Sequence, residues 1–294
     1  MKYLLSSLLL LFSTSIIANQ SINQTLAADK QGNVKIRVVS TDLEVVAWEK
    51  AEVRVVGELD DDIEEFIFEK SGNSILIEVR PENNSSHHWG GYDNAHLTIH
   101  VPSGSSVQST AVSSDFTAIG VHGGLDATTV SGDIELSDIT NGVEAESVSG
   151  DIELAKGGGK MKLTSVSGDI TAVGKAQQFV VQTVSGDIEA SIGKSDFVDL
   201  NSVSGDIEIS FELAKDGRVD GSTVSGDIVL NFQNKTVNAR FDLDTGPGGD
   251  IENSITRDRP DSSFIGSEEI SFSSGNGDGS VELNTMSGTI ELNH

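Results

Sequence analysis

The pentapeptide Val-Ser-Gly-Asp-Ile occurs six times, beginning at Val130, Val148, Val166, Val184, Val203 and Val224. Successive copies lie 18, 18, 18, 19 and 21 residues apart. A degenerate copy, Val112-Ser113-Ser114-Asp115-Phe116, precedes the first by 18 residues, and Met286-Ser287-Gly288-Thr289-Ile290 lies near the end of the chain. A short unit at a near-fixed period specifies stacked coils, each burying its apolar face against the next.

Within each unit the apolar residues alternate. With the motif valine as position zero, positions four and six hold Ile134 and Leu136, Ile152 and Leu154, Ile170 and Ala172, Ile188 and Ala190, Ile207 and Ile209, and Ile228 and Leu230. Positions five and three before it hold Leu125 and Ala127, Val143 and Ala145, Met161 and Leu163, Phe179 and Val181, and Val198 and Leu200. Period-two spacing puts each pair on one face of a strand. Each coil is therefore predicted to contain two short strands. A tight corner falls at Ser-Gly, and a looser one at segments such as Thr140-Asn141-Gly142 or Lys156-Gly157-Gly158-Gly159. Equivalent residues then stack about 4.8 Å apart, and the interior becomes ladders of Val, Ile and Leu. Aromatics are only 5% of the chain, which suits so narrow an interior. The expected fold is all-β: a single-chain parallel β-helix, or β-solenoid, with coils of about 18 residues. An irregular N-terminal β segment would serve as its cap.

Stacking aligns Asp115, Asp133, Asp151, Asp169, Asp187, Asp206 and Asp227 at one corner of successive coils. Two carboxylates about 4.8 Å apart repel by roughly 0.9 kcal/mol in water, and by about 3.5 kcal/mol at an effective dielectric of about 20. The aspartates must face solvent, accept turn N–H groups or share cations. Two readings stay open. Each aspartate caps its own turn, or Ca2+ is held between coils by stacked oxygens. The Gly-Gly-x-Gly-x-Asp run of Ca2+-binding nonapeptide rolls is missing. Glu135, Glu153, Glu189 and Glu208 add a second acidic row two residues on.

The chain has 46 acidic and 19 basic residues, a formal net charge of −27. That argues against a nucleic-acid partner, which needs a basic footprint, and against a polybasic membrane contact. With no cysteine, disulfides, thiolate metal sites, cysteine nucleophiles and a lipid-modified N-terminal cysteine are excluded. Met1-Lys2-Tyr3 is a positive start, residues 4–12 are mostly apolar, and Ser13-Thr14-Ser15-Ile16-Ile17-Ala18 ends on a small residue. This reads as a secretory signal peptide over residues 1–18, cleaved after Ala18. The mature protein is then expected to be exported, either periplasmic or at the cell surface or outside it. No transmembrane anchor is expected after cleavage.

Residues 19–106 read as the N-terminal β segment or cap, and residues 107–294 as the repeat solenoid. Residues 19–29 are polar and look like a loose lead-in. Val34, Ile36 and Val38 alternate with Lys35 and Arg37 as in a half-buried strand. Ser40-Thr41-Asp42-Leu43 echoes the repeat. Phe66-Ile67-Phe68 and residues 75–79 read as a hairpin across Ser71-Gly72-Asn73. Leu97, Ile99 and Val101 form a further strand. The insertion between them carries His87, His88, Trp89 and Tyr92, the candidate ligand-binding residues. The aromatics suit a sugar platform and the histidines a Zn or Cu ion, although His87-His88 lacks the usual spacing of structural zinc. The alternative is a polar loop beside a strand whose outer face carries His96, Thr98 and His100. Beyond Val224, residues 245–251 and 274–279 read as corners. Val281, Leu283, Ile290 and Leu292 read as the closing strands.

This layout resembles the bacterial putative-adhesin domain family of unknown function. Its members begin with irregular strands and pass through a segment like Leu97-Thr98-Ile99-His100-Val101-Pro102-Ser103-Gly104. They run through Val-Ser-Gly-Asp-Ile coils and close as in Gly275-Asn276-Gly277 and Met286-Ser287-Gly288-Thr289-Ile290. The resemblance covers roughly residues 30–294. It implies a β-helix-like fold and an exported, envelope-associated protein, with no catalytic residue to carry over. The expected function is a non-enzymatic cell-envelope or surface protein, an adhesin or binding scaffold for a glycan or an envelope protein. No cofactor is expected unless the aspartates take Ca2+. The alternatives are a polysaccharide-active enzyme on a β-helix and a structural or signalling domain of an envelope-stress system. Against the enzyme, Gly-x-Ser-x-Gly, His-Glu-x-x-His and phosphate-loop motifs are absent. The acids also recur on every coil, as structural positions do.

Overall fold

The computed structural model describes residues 20–60, 63–82 and 95–294. The expected signal peptide and the His87, His88, Trp89 and Tyr92 insertion lie outside the described residues. The strands form one 23-stranded, mostly parallel sheet wound into a β-solenoid. No helix among the described residues is long and apolar enough to cross a membrane.

The central coils follow the repeat. Leu125, Val143, Met161, Phe179, Val198 and Val219 stack in parallel register. So do Ile134, Ile152, Ile170, Ile188, Ile207 and Ile228. All twelve are buried, as period-two alternation requires. The looser corner is more ordered than two short strands per coil would allow. Strands Ile152–Ser167, Ile170–Ser185, Ile188–Asn201 and Ile207–Ser225 each run through it without a break. Gly157, Gly158 and Gly159 pair with Gly174, Lys175 and Ala176 of the next coil. Register shifts absorb the extra residues, as between Ser191 and Lys194.

Both ends depart from chain order. Strands Ser74–Pro81 and His96–Pro102 make one layer, yet the layer made earlier in sequence by Asn33–Arg37 and Asp42–Trp48 lies inside it. That inner layer in turn stacks on Ser106–Thr110 and Phe116–Ile119. At the other end, Gly279–Ser287 and Thr289–Asn293 are not the closing strands that their position suggests. They are wedged between the Arg218–Phe232 coil and the later-stacked Ala239–Thr245 and Asp250–Asn253. The reason is register. Met286-Ser287-Gly288-Thr289-Ile290 carries a full corner that fits directly on the last complete motif.

Antiparallel strands finish each end. Ile63–Ser71 forms the expected hairpin with Ser74–Pro81, and Glu268–Ser274 lies on Ala239–Thr245. The supposed loose lead-in is also a strand, Gln20–Ala27, antiparallel to Glu52–Leu59. Ser21, Asn23, Gln24 and Thr25 are exposed, while Ile22 is buried and Leu26 packs on the core. Large rings cluster at the C-terminal end. Phe211 and Phe232 are 5.1 Å apart, Phe232 and Phe241 6.0 Å, and Phe241 stacks on Phe272 at 4.5 Å.

Candidate functional site

The tight corner is built by Val-Ser-Gly-Asp. At Gly186 the backbone takes φ 145°, and a Cβ there would run into the carbonyl oxygen of Gly168 in the preceding coil. Glycine is required on both counts. This close approach brings the next residue, Asp187, against the corner of the coil before it.

The aspartates meet in one file, but they do not cap their own turns. Asp133 Oδ1 accepts the backbone N–H of Asp151 at 2.9 Å, and Asp151 Oδ1 that of Asp169 at 2.8 Å. The same bond links Asp169 to Asp187, Asp187 to Asp206 and Asp206 to Asp227. The file starts earlier than Asp115, because Asp42 accepts from Asp115, which accepts from Asp133. It ends where Asp227 accepts the N–H of Thr289 at 2.6 Å. The corner N–H points along the stack, so its nearest acceptor is the carboxylate of the neighbouring coil. Each Oδ1 is thereby used, and no Oδ2 in the file has a hydrogen-bond partner among the described residues; the aspartates are exposed except Asp227, which is half-buried. Those Oδ2 atoms are what the corner could offer a cation. Among the described residues, no group of three or more His, Asp or Glu is placed to hold a metal.

The second acidic row is also in register. Glu135 stacks on Glu153 and Glu189 on Glu208, with Thr171 between the pairs. All four glutamates are exposed.

The motif valines face outward. Val112, Val130, Val148, Val166, Val184, Val203, Val224 and Met286 are 43–62% exposed and form a straight apolar stripe beside the aspartates. The residue before each valine turns inward. Thr129, Ser147, Ser165, Thr183, Ser202, Thr223 and Thr285 make a buried file of hydroxyls. Ser147, Ser165, Thr183, Ser202 and Thr223 have no hydrogen-bond partner for that oxygen. Sequence reading missed both files, although counting alternate residues onward from Leu125 and Ala127 would have found them.

A groove of about 690 Å3 lies toward the looser corner on the same strands that carry the valines, lined by Asp126, Asn141, Glu144, Lys160 and Lys162. Gln108 Nε2 donates to Asp126 Oδ2 at 3.1 Å. Lys162 Nζ bridges Glu144 at 2.6 Å and Glu146 at 2.9 Å. Partial burial raises the Asp126 carboxyl above the usual range. The Gln108 hydrogen bond opposes this, Glu144 and Glu146 add to it, and Lys162 opposes it. The hydrogen bonds that Lys162 donates to Glu144 and then to Glu146 raise its ammonium and keep it charged.

The strand beside the insertion has the expected outer face. His96 is exposed, Thr98 Oγ1 donates to Glu44 Oε2 at 3.1 Å, and half-buried His100 packs against Trp48 with the rings tilted by 39° and their centres 4.9 Å apart.

Residues 32–293 match the family model described as Toastrack DUF4097. Three solved structures are similar over most of the chain. A putative adhesin from Bacteroides fragilis NCTC 9343 is 14% identical, with 93% of this chain and 97% of that one covered and a TM-score of 0.45. A putative lipid binding protein from Parabacteroides distasonis ATCC 8503 is 15% identical, with 92% and 96% covered and a TM-score of 0.48. A putative cell adhesion protein from Clostridium sporogenes ATCC 15579 is 11% identical, with 93% and 99% covered and a TM-score of 0.29. No curated protein matches the chain.

Proposed function

The chain belongs to the Toastrack family, DUF4097, and from that premise we propose that it is an exported, non-enzymatic binding scaffold of the cell envelope or surface. One observation carries this reading. The side chains that reach solvent repeat in register from coil to coil, as Glu135 does over Glu153 and Val148 over Val166. A rigid surface with a repeated chemistry suits an extended ligand or another envelope protein. Enzymes instead converge unlike groups on one point.

The His87, His88, Trp89 and Tyr92 insertion is a second contact region for a glycan in this proposal. The test is co-sedimentation of residues 19–294 with isolated envelope polysaccharides and envelope proteins, alongside a reducing-end assay. Retention without bond cleavage is expected, and weakened glycan retention in Trp89→Ala and Tyr92→Ala variants that remain folded. Release of reducing ends would sink the non-enzymatic reading.

A polysaccharide-active enzyme is the second reading, favoured by the groove that sets the raised Asp126 carboxyl near Glu144 and Lys162. Under it, turnover would be seen and would disappear in Asp126→Asn.

A further inference from the structure

Among the described residues, twelve large apolar side chains are exposed, and ten of them lie along one edge of the solenoid. Eight are the corner stripe from Val112 to Met286. The other two are Phe264 and Ile265, at the tip of a turn closed by the Gly266 N–H on the Ser263 carbonyl at 3.1 Å. That turn is tied to the corner at Gly246–Gly249 through the Gly248 N–H and the Gly266 carbonyl at 2.9 Å. The same corner stacks on Met286, because the Gly246 N–H bonds the Thr285 carbonyl at 2.8 Å. The apolar edge therefore runs on from the stripe into the Phe264–Ile265 tip. Scattered apolar residues on a surface need no explanation, but a continuous row does.

We propose that this edge docks a cationic amphipathic helix of a partner polypeptide. The proposal rests on the scaffold reading and names the partner class for one face of it. Charge selects the occupant. The stripe is flanked by the exposed serines of the motif and then by the file from Asp115 to Asp227, whose Oδ2 atoms are unengaged. The whole chain carries −27. A second copy would bring the same acidic file to the contact, and an anionic bilayer would be repelled. A helix with lysines or arginines beside its apolar row places cations over the aspartates. The opposite flank, with Thr128, Glu146, Thr164, Gln182 and Asn201 in register, carries one carboxylate, Glu146, and Lys162 already pairs with it at 2.9 Å, so the aspartate file is the stronger draw for a cation.

Spacing selects the helix. Its apolar row recurs every turn, about 5.4 Å, against about 4.8 Å per coil. The two rows drift by about 0.6 Å per turn and stay within half a coil for about four turns. The stripe from Val112 to Met286, seven steps or about 34 Å, is long enough for that.

The test uses residues 19–294 and a fluorescent 18-residue Leu/Lys peptide patterned as an amphipathic helix. A shuffled peptide of the same composition and an oligolysine are the controls. The variant is Val148→Thr, Val166→Thr, Val184→Thr, which keeps β-branched residues at exposed positions. Circular dichroism and thermal melting check that it folds. The patterned peptide is expected to bind the natural chain about tenfold or more tightly than the variant, with oligolysine binding unchanged between them. Equal binding of the patterned and shuffled peptides would overturn the proposal, as would equal binding to both proteins or none at all. A dimer of the natural chain that the triple variant abolishes would assign the edge to a second copy and overturn it too. If envelope ligands still bind both proteins, the scaffold reading survives that failure. If they bind neither, both readings fall.

Discussion

Asp151 Oδ1 accepts the backbone N–H of Asp169 at 2.8 Å, and so joins two coils at their sharpest point. The repeat of this bond from Asp42 to Thr289 makes the acidic file a structural seam. Repulsion between neighbouring carboxylates is offset by a charge-assisted hydrogen bond in each layer.

Removing one carboxylate should therefore unseat the corner of the following coil. Asp169→Ala is expected to lower stability by about 1 kcal/mol, read as a lower denaturant midpoint. Asp169→Asn retains an acceptor oxygen, relieves the repulsion, and should change stability by less than half as much.

Cations should act on this seam mainly by screening. Each layer has one carboxylate oxygen left, whereas Ca2+ takes about 6–8 oxygen ligands. Ca2+ and Mg2+ at millimolar concentration are expected to raise the thermal midpoint of residues 19–294 equally, and EDTA to have no further effect. A rise specific to Ca2+, lost when Asp151, Asp169 and Asp187 are changed to Asn, would instead make the seam an ion site.

The buried hydroxyl file gives the opposite sign from most core substitutions. Thr183 Oγ1 is enclosed without a partner. Thr183→Val keeps the shape and removes an unsatisfied polar atom, so it should stabilise by about 1 kcal/mol. Chemical denaturation would read this directly. A loss of stability would mean that an ordered water satisfies the hydroxyl.

Asp126 sets a small pH dependence. Its carboxyl holds its proton more tightly in the folded chain than its usual value of 3.8. Between that value and the raised one, the folded state binds more protons than the unfolded state, so this group lowers stability as pH rises. Asp126→Asn keeps an acceptor for Gln108 and removes the penalty. It is expected to raise the melting point at pH 7 by less than about 2 °C, with the gain vanishing below the usual carboxylate range.

Much of the central stack was legible because the interior repeats as it does in the sequence. Ile152, Ile170 and Ile188 could be placed one above another from spacing alone. The outward valines follow from parity alone, because Val130 and Val148 are odd steps from the inward Leu125 and Val143. The Asp151–Asp169 bond was not legible. Spacing aligns the two residues, but only the glycine corner shows that the N–H points along the stack. The strand Gln20–Ala27 was hidden by polar composition, because an edge strand buries few side chains. The layer order at both ends was hidden because pairing there joins segments distant in sequence, such as Thr223 and Thr285.

That layer order also governs time. A chain folding from its N-terminus can zip coil onto coil as far as Phe232, where the next seat belongs to residues not yet delivered. Ala239–Thr245 has no parallel neighbour until Gly279–Ser287 arrives beneath it. The final strands are thus a keystone. Ala239–Thr245 can pair early with Glu268–Ser274, but that pair seats on the stack only through the final strands, so a chain cut just before Gly279 would undock its C-terminal end rather than lose its last coil alone.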